Sequence, residues 1–353
     1  MQSACSSRGN WATGPDGKRS DLPTQERCVV MLQDQFNRRF SYLRLSLTES
    51  CNFRCSYCLP DGNECASRAE ELTLPEIKRL VTAFALCGTR KIRLTGGEPS
   101  LRRDLCDIIA TCKAVPGIEQ VAMTTNGYRL KRDIQSWLDA GLDALNVSVD
   151  SLDPATFALV TGQDKLPDIL EGIDLASSLG IKKLKLNTVL LRQHNAGELP
   201  DFMAFVKNRA VTLRFIELMQ TGDNNAFFAR QHLSGDSIKQ QLLAAGWLLG
   251  VKDAHAGPAQ EFFHPQHRGG IGLIMPYSKD FCADCNRLRV SSLGELYLCL
   301  FTEQHRSLRH LLTQDDPEAV RQFLQHSLQF KSSSHALAEH NTGATRHLAM
   351  IGG

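Results

Sequence analysis

The strongest constraint on the fold is a serial alternation of strand and helix. Strand-like runs recur at residues 42–48, 91–95, 120–125, 144–149, 183–190 and 212–218, with helical patterns between them, as at 74–86, 102–115, 166–179 and 198–209. Parallel strands need long crossovers, and right-handed helical crossovers place these six strands in one parallel sheet. Six units fall short of the eight that close a barrel. The fold class this predicts is α/β, an incomplete (β/α)6 TIM-like barrel spanning residues 36–220.

Alternation within the strands says what lies inside that barrel. Leu43, Leu45 and Leu47 share one side of their strand, which puts Arg44, Ser46 and Thr48 on the other; Ile92 and Leu94 likewise oppose Lys91, Arg93 and Thr95. Leu145, Val147 and Val149 oppose Asn146, Ser148 and Asp150, Leu184 and Leu186 oppose Lys183, Lys185 and Asn187, and Leu213 and Phe215 flank Arg214. Helices cover the apolar side, so the polar side faces a lumen. Several buried cations need anions or water, and a phosphorylated substrate meets that demand economically. Lys91 and Lys183 can instead snorkel from the rim into solvent.

The flanking segments differ in character. Residues 1–35, with Gly9, Gly14, Pro15, Gly17 and Pro23, have no sustained periodicity and read as a flexible leader, order beginning near Phe36. After Met219 a second, α+β module occupies 221–330, with a helix at 237–247, a strand at 271–275 and a hairpin of strands 288–291 and 295–300. Residues 305–330 read as two short helices, and 331–353 as a polar, flexible tail ending in Gly352-Gly353.

Twelve cysteines are the outlying number in an otherwise ordinary globular composition. A chain this large does not need disulfide staples, so reduced thiols point to metal or redox chemistry in a cytoplasmic protein. Cys51, Cys55 and Cys58 form one triad and Cys282, Cys285 and Cys299, the last folded back by the hairpin, form another. Three thiolates leave one iron of a 4Fe-4S cluster open, whereas structural zinc wants four protein ligands; spacing alone leaves iron-sulfur and zinc both open for a single triad. Cys5, Cys28, Cys65, Cys87, Cys106 and Cys112 lack ligand spacing and receive no role. Net charge of +2 provides no global field for nucleic acid, and no apolar stretch is long enough to span a membrane.

Cys51-x3-Cys55-x2-Cys58 with Tyr57, followed by Gly96-Gly97-Glu98-Pro99, resembles the radical S-adenosylmethionine superfamily. The second triad, Asn286-Arg287-Leu288-Arg289 and the Ile351-Gly352-Gly353 terminus are similar to the molybdenum-cofactor biosynthesis protein A family, the GTP 3′,8-cyclases, which are lyases; the resemblance covers roughly residues 36–353. It implies two 4Fe-4S clusters on the two triads and S-adenosylmethionine bound through Tyr57, Gly97, Ser148 and Met219. Gly97 is expected to let the backbone approach the cofactor's methionine group. GTP would be held by Arg44, Arg93, Thr124, Lys185, Arg287 and Arg289, the last two also catalytic, with the guanine on the open iron of the second cluster. A 5′-deoxyadenosyl radical would take the ribose 3′ hydrogen, and C3′ would attack guanine C8.

The resemblance further implies a flavodoxin- or ferredoxin-type electron donor and a downstream cyclic pyranopterin monophosphate synthase, and it is compatible with a homodimer. The family pattern leaves two residues between a Met and the terminal Ile-Gly-Gly, whereas here Leu348-Ala349-Met350 precede Ile351, so the Met has moved. A radical peptide-modifying maturase with an auxiliary cluster is the alternative function.

Overall fold

The computed structural model describes residues 31–62, 71–251 and 257–352. Cys5, Cys28, Cys65, most of the leader and Gly353 lie outside the described residues. Six parallel strands, β1 (Tyr42–Ser46), β2 (Lys91–Thr95), β3 (Gln120–Thr125), β4 (Ala144–Ser148), β5 (Lys183–Leu190) and β6 (Thr212–Glu217), follow one another in the sheet as the alternation predicts. The connections carry α1 (Leu74–Leu86), α2 (Leu105–Ala114), α3 (Leu130–Asp139), α4 (Pro154–Thr161), α5 (Leu166–Ser178) and α6 (Leu199–Lys207). Local signals set their ends: Thr73 and Glu76 form a reciprocal capping box at the start of α1, and Gly162, at φ +71°, ends α4.

The apolar strand faces make the core. Leu43, Leu45, Ile92, Leu94, Leu145, Val147, Leu186 and Leu213 are fully buried in one cluster with Ile77, Leu80, Ile108 and Phe202 of the helices. At roughly 1.5–3 kcal/mol for each large side chain buried, this layer supplies the main stabilisation of the barrel.

The second module enlarges that sheet in a way the local pattern does not reveal. It contains α7 (Asn225–Gln231), α8 (Gly235–Ala244), β7 (Leu248–Leu249), β8 (Gln260–Phe263), β9 (Gly270–Ile274), β10 (Arg287–Val290), β11 (Glu295–Tyr297) and β12 (His305–Ser307), then α9 (Pro317–Leu328). Strand β9 pairs in parallel with β6, and β10 in parallel with β1, giving the order β12-β11-β10-β1-β2-β3-β4-β5-β6-β9-β8-β7. The module therefore covers both open edges of the six-stranded sheet, where unpaired backbone groups would otherwise await partners.

Three expectations need correction. Residues 305–307 are a strand, not the start of a helix, because they pair with the free edge of β11. The packed chain begins ahead of Phe36, since Leu32 and Asp34 are already buried. The tail is not free of the core: Leu337 and Ile351 pack with Tyr297, Leu300 and Phe301, and partly buried Met350 adjoins them. No helix among the described residues is long and apolar enough to cross a membrane.

Arg38 ties these late segments to the first. Its Nε pairs with buried Asp34 at 2.7 Å, and its guanidinium donates to the carbonyls of Cys282, Ser332 and Ser333 at 3.1, 2.6 and 2.7 Å. Removing one member of a buried pair leaves the other charge uncompensated. Arg38→Met is expected to lower the stability of the metal-free protein by about 3–5 kcal/mol in urea denaturation, with part recovered by adding Asp34→Asn. An unchanged midpoint would contradict this role.

Candidate active site

The lumen is a basic cavity. Tyr42 and Arg44 lie on β1, Lys91 and Arg93 on β2, Lys183 and Lys185 on β5, Arg214 on β6, and Arg287 and Arg289 on β10, all lining one space together with Thr124. The registers Arg44↔Arg289 and Arg44↔Arg93 set three arginines side by side across neighbouring strands. Like charges so placed repel. No Asp or Glu among the described residues lines the cavity.

The electrostatics follow. Burial, then repulsion from Arg289, pushes Arg44 well below the usual arginine range; burial and neighbouring arginines lower Arg214 and Arg289 to about 10. A guanidinium nevertheless keeps its proton, so this penalty is a standing demand for an anion. Local hydrogen bonds meet only part of it: Arg93 donates to Tyr42 Oη at 2.5 Å and to Thr124 Oγ1 at 3.2 Å, and Arg214 to Asn187 at 2.7 Å. Lys185 pairs at the rim with Glu261 at 2.5 Å. Lys183 is exposed, as snorkelling would have it, whereas Lys91 is half-buried with its ammonium 4.8 Å from the Tyr42 ring centroid.

A second cavity adjoins the first, sharing Thr124, Asn187, Ile216 and Met219. Cys51, Cys55, Cys58, Tyr57, Gly97, Ser148 and Asp150 line it. Tyr57 donates to Asp150 at 2.9 Å, and burial raises that carboxyl to about 6. Buried Glu98 accepts from the amides of Ser100 and Asn126 and from the Thr125 hydroxyl, which fixes the Gly-Gly-Glu-Pro turn. A Cβ on Gly97 would lie 2.4 Å from Ser50 O and 2.5 Å from Glu49 O. The close approach that requires glycine here is thus to the cysteine-bearing loop, not only to a ligand as the sequence suggested.

The second triad lies at the other end of the basic cavity. The hairpin of β10 and β11 returns Cys299 to the space lined by Cys282 and Cys285, as expected. Although burial opposes ionisation, hydrogen bonding with His335 brings the Cys282 thiol down to about 6, and the charge of Arg287 lowers Cys285. Burial instead raises Cys51 to about 11 and Cys58 to about 12. The tail joins the two ends: Leu348 and Ala349 direct backbone N–H groups at the Cys58 sulfur, and Arg289 donates to Gly352 O at 2.6 Å.

The thiols are available as ligands at both cavities. Each triad opens onto a cavity, and all six cysteines are free of disulfides. Among the described residues no three His, Cys, Asp or Glu side chains are drawn together as ligands of one ion. Three free thiols at each cavity are a donor set that would hold three irons of a cubane and leave the fourth open. Sequence reasoning put Asp150 and Asn187 on the lumen side without a specific task and attached no role to Tyr42, Glu261 or His335. Tyr42 shares the strand parity of Arg44, so the alternation already contained the signal for it; Glu261 and His335 come from distant segments and carried none.

Comparison with known proteins agrees with this arrangement. Residues 45–206 match the Radical SAM superfamily and residues 211–337 match Molybdenum Cofactor Synthesis C. The GTP 3′,8-cyclase of Vibrio parahaemolyticus is 54% identical over 333 residues, covering 93% of this chain and 100% of that one. The GTP 3′,8-cyclase of Aeromonas hydrophila is 56% identical over 328 residues, covering 91% and 96%. Streptococcus suis SuiB bound to S-adenosylmethionine shares the fold, with a TM-score of 0.56 at 13% identity over 84% of this chain and 69% of that one. With two relatives above half identity over more than nine-tenths of the chain and a barrel that joins a cysteine-triad cavity to a basic one, the chain belongs to the GTP 3′,8-cyclase family of the radical S-adenosylmethionine superfamily.

Proposed function

We propose that this chain converts GTP to (8S)-3′,8-cyclo-7,8-dihydroguanosine 5′-triphosphate, the first step of molybdenum cofactor synthesis. The observation that carries this reading is the arginine-lined cavity, lined by no Asp or Glu among the described residues, that adjoins the cavity of the first cysteine triad. When bound, a 4Fe-4S cluster and S-adenosylmethionine supply a 5′-deoxyadenosyl radical. Cys51, Cys55 and Cys58 would hold that cluster, and Tyr57, Gly97, Ser148 and Met219 the S-adenosylmethionine. This concentration of buried arginine favours a polyanionic nucleotide over a peptide substrate.

The chain's own side chains then have distinct tasks. Arg44, Arg93, Lys185, Arg287 and Arg289 neutralise the triphosphate, and Arg forks pair bidentately with phosphate oxygens. Thr124 borders both cavities, as do Asn187, Ile216 and Met219, which supports a ribose lying at this junction when the nucleotide is anchored in the basic cavity. Holding the ribose there supplies proximity, and the packed tail restricts water. Cys282, Cys285 and Cys299 would carry a second cluster beside the purine. A flavodoxin- or ferredoxin-type donor and a following cyclic pyranopterin monophosphate synthase complete this reading.

Two measurements test it. Anaerobic incubation with GTP, S-adenosylmethionine and dithionite should yield the cyclised nucleotide by mass analysis, while iron content should be about eight per chain and fall to about four in Cys282→Ser. Zinc in place of iron would refute the cluster reading. Arg287→Ala and Arg289→Ala should each weaken GTP binding by about tenfold or more, matching the roughly 1.5–3 kcal/mol of a charged hydrogen bond, with little change in S-adenosylmethionine affinity. Unchanged GTP affinity would favour a different substrate.

A further inference from the structure

Among the described residues lining the basic cavity, thiols apart, Tyr42 is the one that can furnish a negative charge. Its oxygen accepts from Arg93 Nε at 2.5 Å, and Lys91 stands over its ring. In register it sits beside Lys91 of β2 and Arg287 of β10, with Arg44 two residues along its own strand. Arg289 on β10 and Arg214 on β6 are close enough to feel its charge. Glu261 of β8, which acts on Arg214 in the same cavity, is engaged by Lys185. Burial opposes ionisation of the phenol, but the charges of Arg93, Arg44 and Lys91, with the Arg93 hydrogen bond, outweigh it and bring Tyr42 down to about 7. Burial moves Tyr57 and Tyr277 the other way, the latter to about 12.

Building on the nucleotide reading above, we propose that Tyr42 is a positioning residue that, as tyrosinate, serves as the resident anion holding Arg93 and Lys91 in the substrate-free enzyme, and that it takes a proton from solvent when the triphosphate replaces it. No other bond forms or breaks. Two anions beside the same guanidinium repel, and the triphosphate carries more charge, so the phenolate is the one neutralised. By linkage, GTP binding then takes up a proton and weakens as pH rises above about 7, by up to about tenfold per pH unit until the phenol of the bound form itself titrates. Lys91, lowered by burial to about 8, titrates nearby and contributes nothing to a tyrosinate signal.

The test uses the anaerobic holoenzyme with S-adenosylmethionine and no reductant, so that GTP binds without turnover. The near-ultraviolet tyrosinate band should grow in by one tyrosine as pH passes about 7, disappear on saturating GTP, and be absent in Tyr42→Phe. The variant should also show a flatter dependence of GTP affinity on pH. A band identical in wild type and Tyr42→Phe, or unmoved by GTP, overturns the exchange; a wild-type chain that binds no GTP overturns the nucleotide reading and the exchange with it.

Discussion

Mutual repulsion among arginines inside a barrel is the interaction around which this molecule is organised. Arg289, Arg44 and Arg93 stand in one lateral row across three parallel strands, with Arg214 and Arg287 lining the same space. The strands accept this because their opposite faces are fully apolar and pack under the helices. The charge is thus held in place by the apolar packing behind it, and on the nucleotide reading proposed above it becomes binding energy when the triphosphate arrives. Tyr42 relieves part of the repulsion with the least displacement, since its hydroxyl already sits on Arg93.

Continuity between the two cavities depends on the second module and the tail. Strands β9 and β10 extend the sheet at either edge, and β10 brings Arg287 and Arg289 to the lumen. The turn ahead of β10 and the end of the hairpin bring the second triad beside them. The tail then crosses from Arg289, which holds Gly352 O, to the sulfur of Cys58, so its backbone touches both ends of the reaction space. A side chain at position 352 would collide with Thr95, its Cβ falling 2.2 Å from Thr95 Cγ2, and the backbone there has φ +65°. Glycine is the residue that fits.

Barrel strands β2, β3 and β5 begin and end where periodicity places them, and lumen residues such as Arg44, Arg93, Ser148 and Lys185 were identifiable because a strand's two-residue period is a local property. The hairpin that closes the second triad was equally legible, since turn and alternation lie within one short stretch. Segment 305–307 was misread because so short a run carries no period of its own; pairing with β11 alone makes it a strand. The tail was misread for a related reason. Its few apolar residues, Leu337 and Ile351, have no spacing, yet each finds a prepared apolar site.

Local chemistry in the chain was enough to specify a parallel β/α sheet, its basic interior and two triads of thiols. Selection among long-range partners was left to tertiary structure: Arg38 finds the carbonyls of Ser332 and Ser333, Lys185 finds Glu261, Tyr57 finds Asp150, and Gly97 abuts Ser50. The division has a physical cause. Side-chain period and turn chemistry act over a few residues and are written in sequence order, whereas the pairing of one buried charge with another is decided by which surfaces the folded sheet brings together.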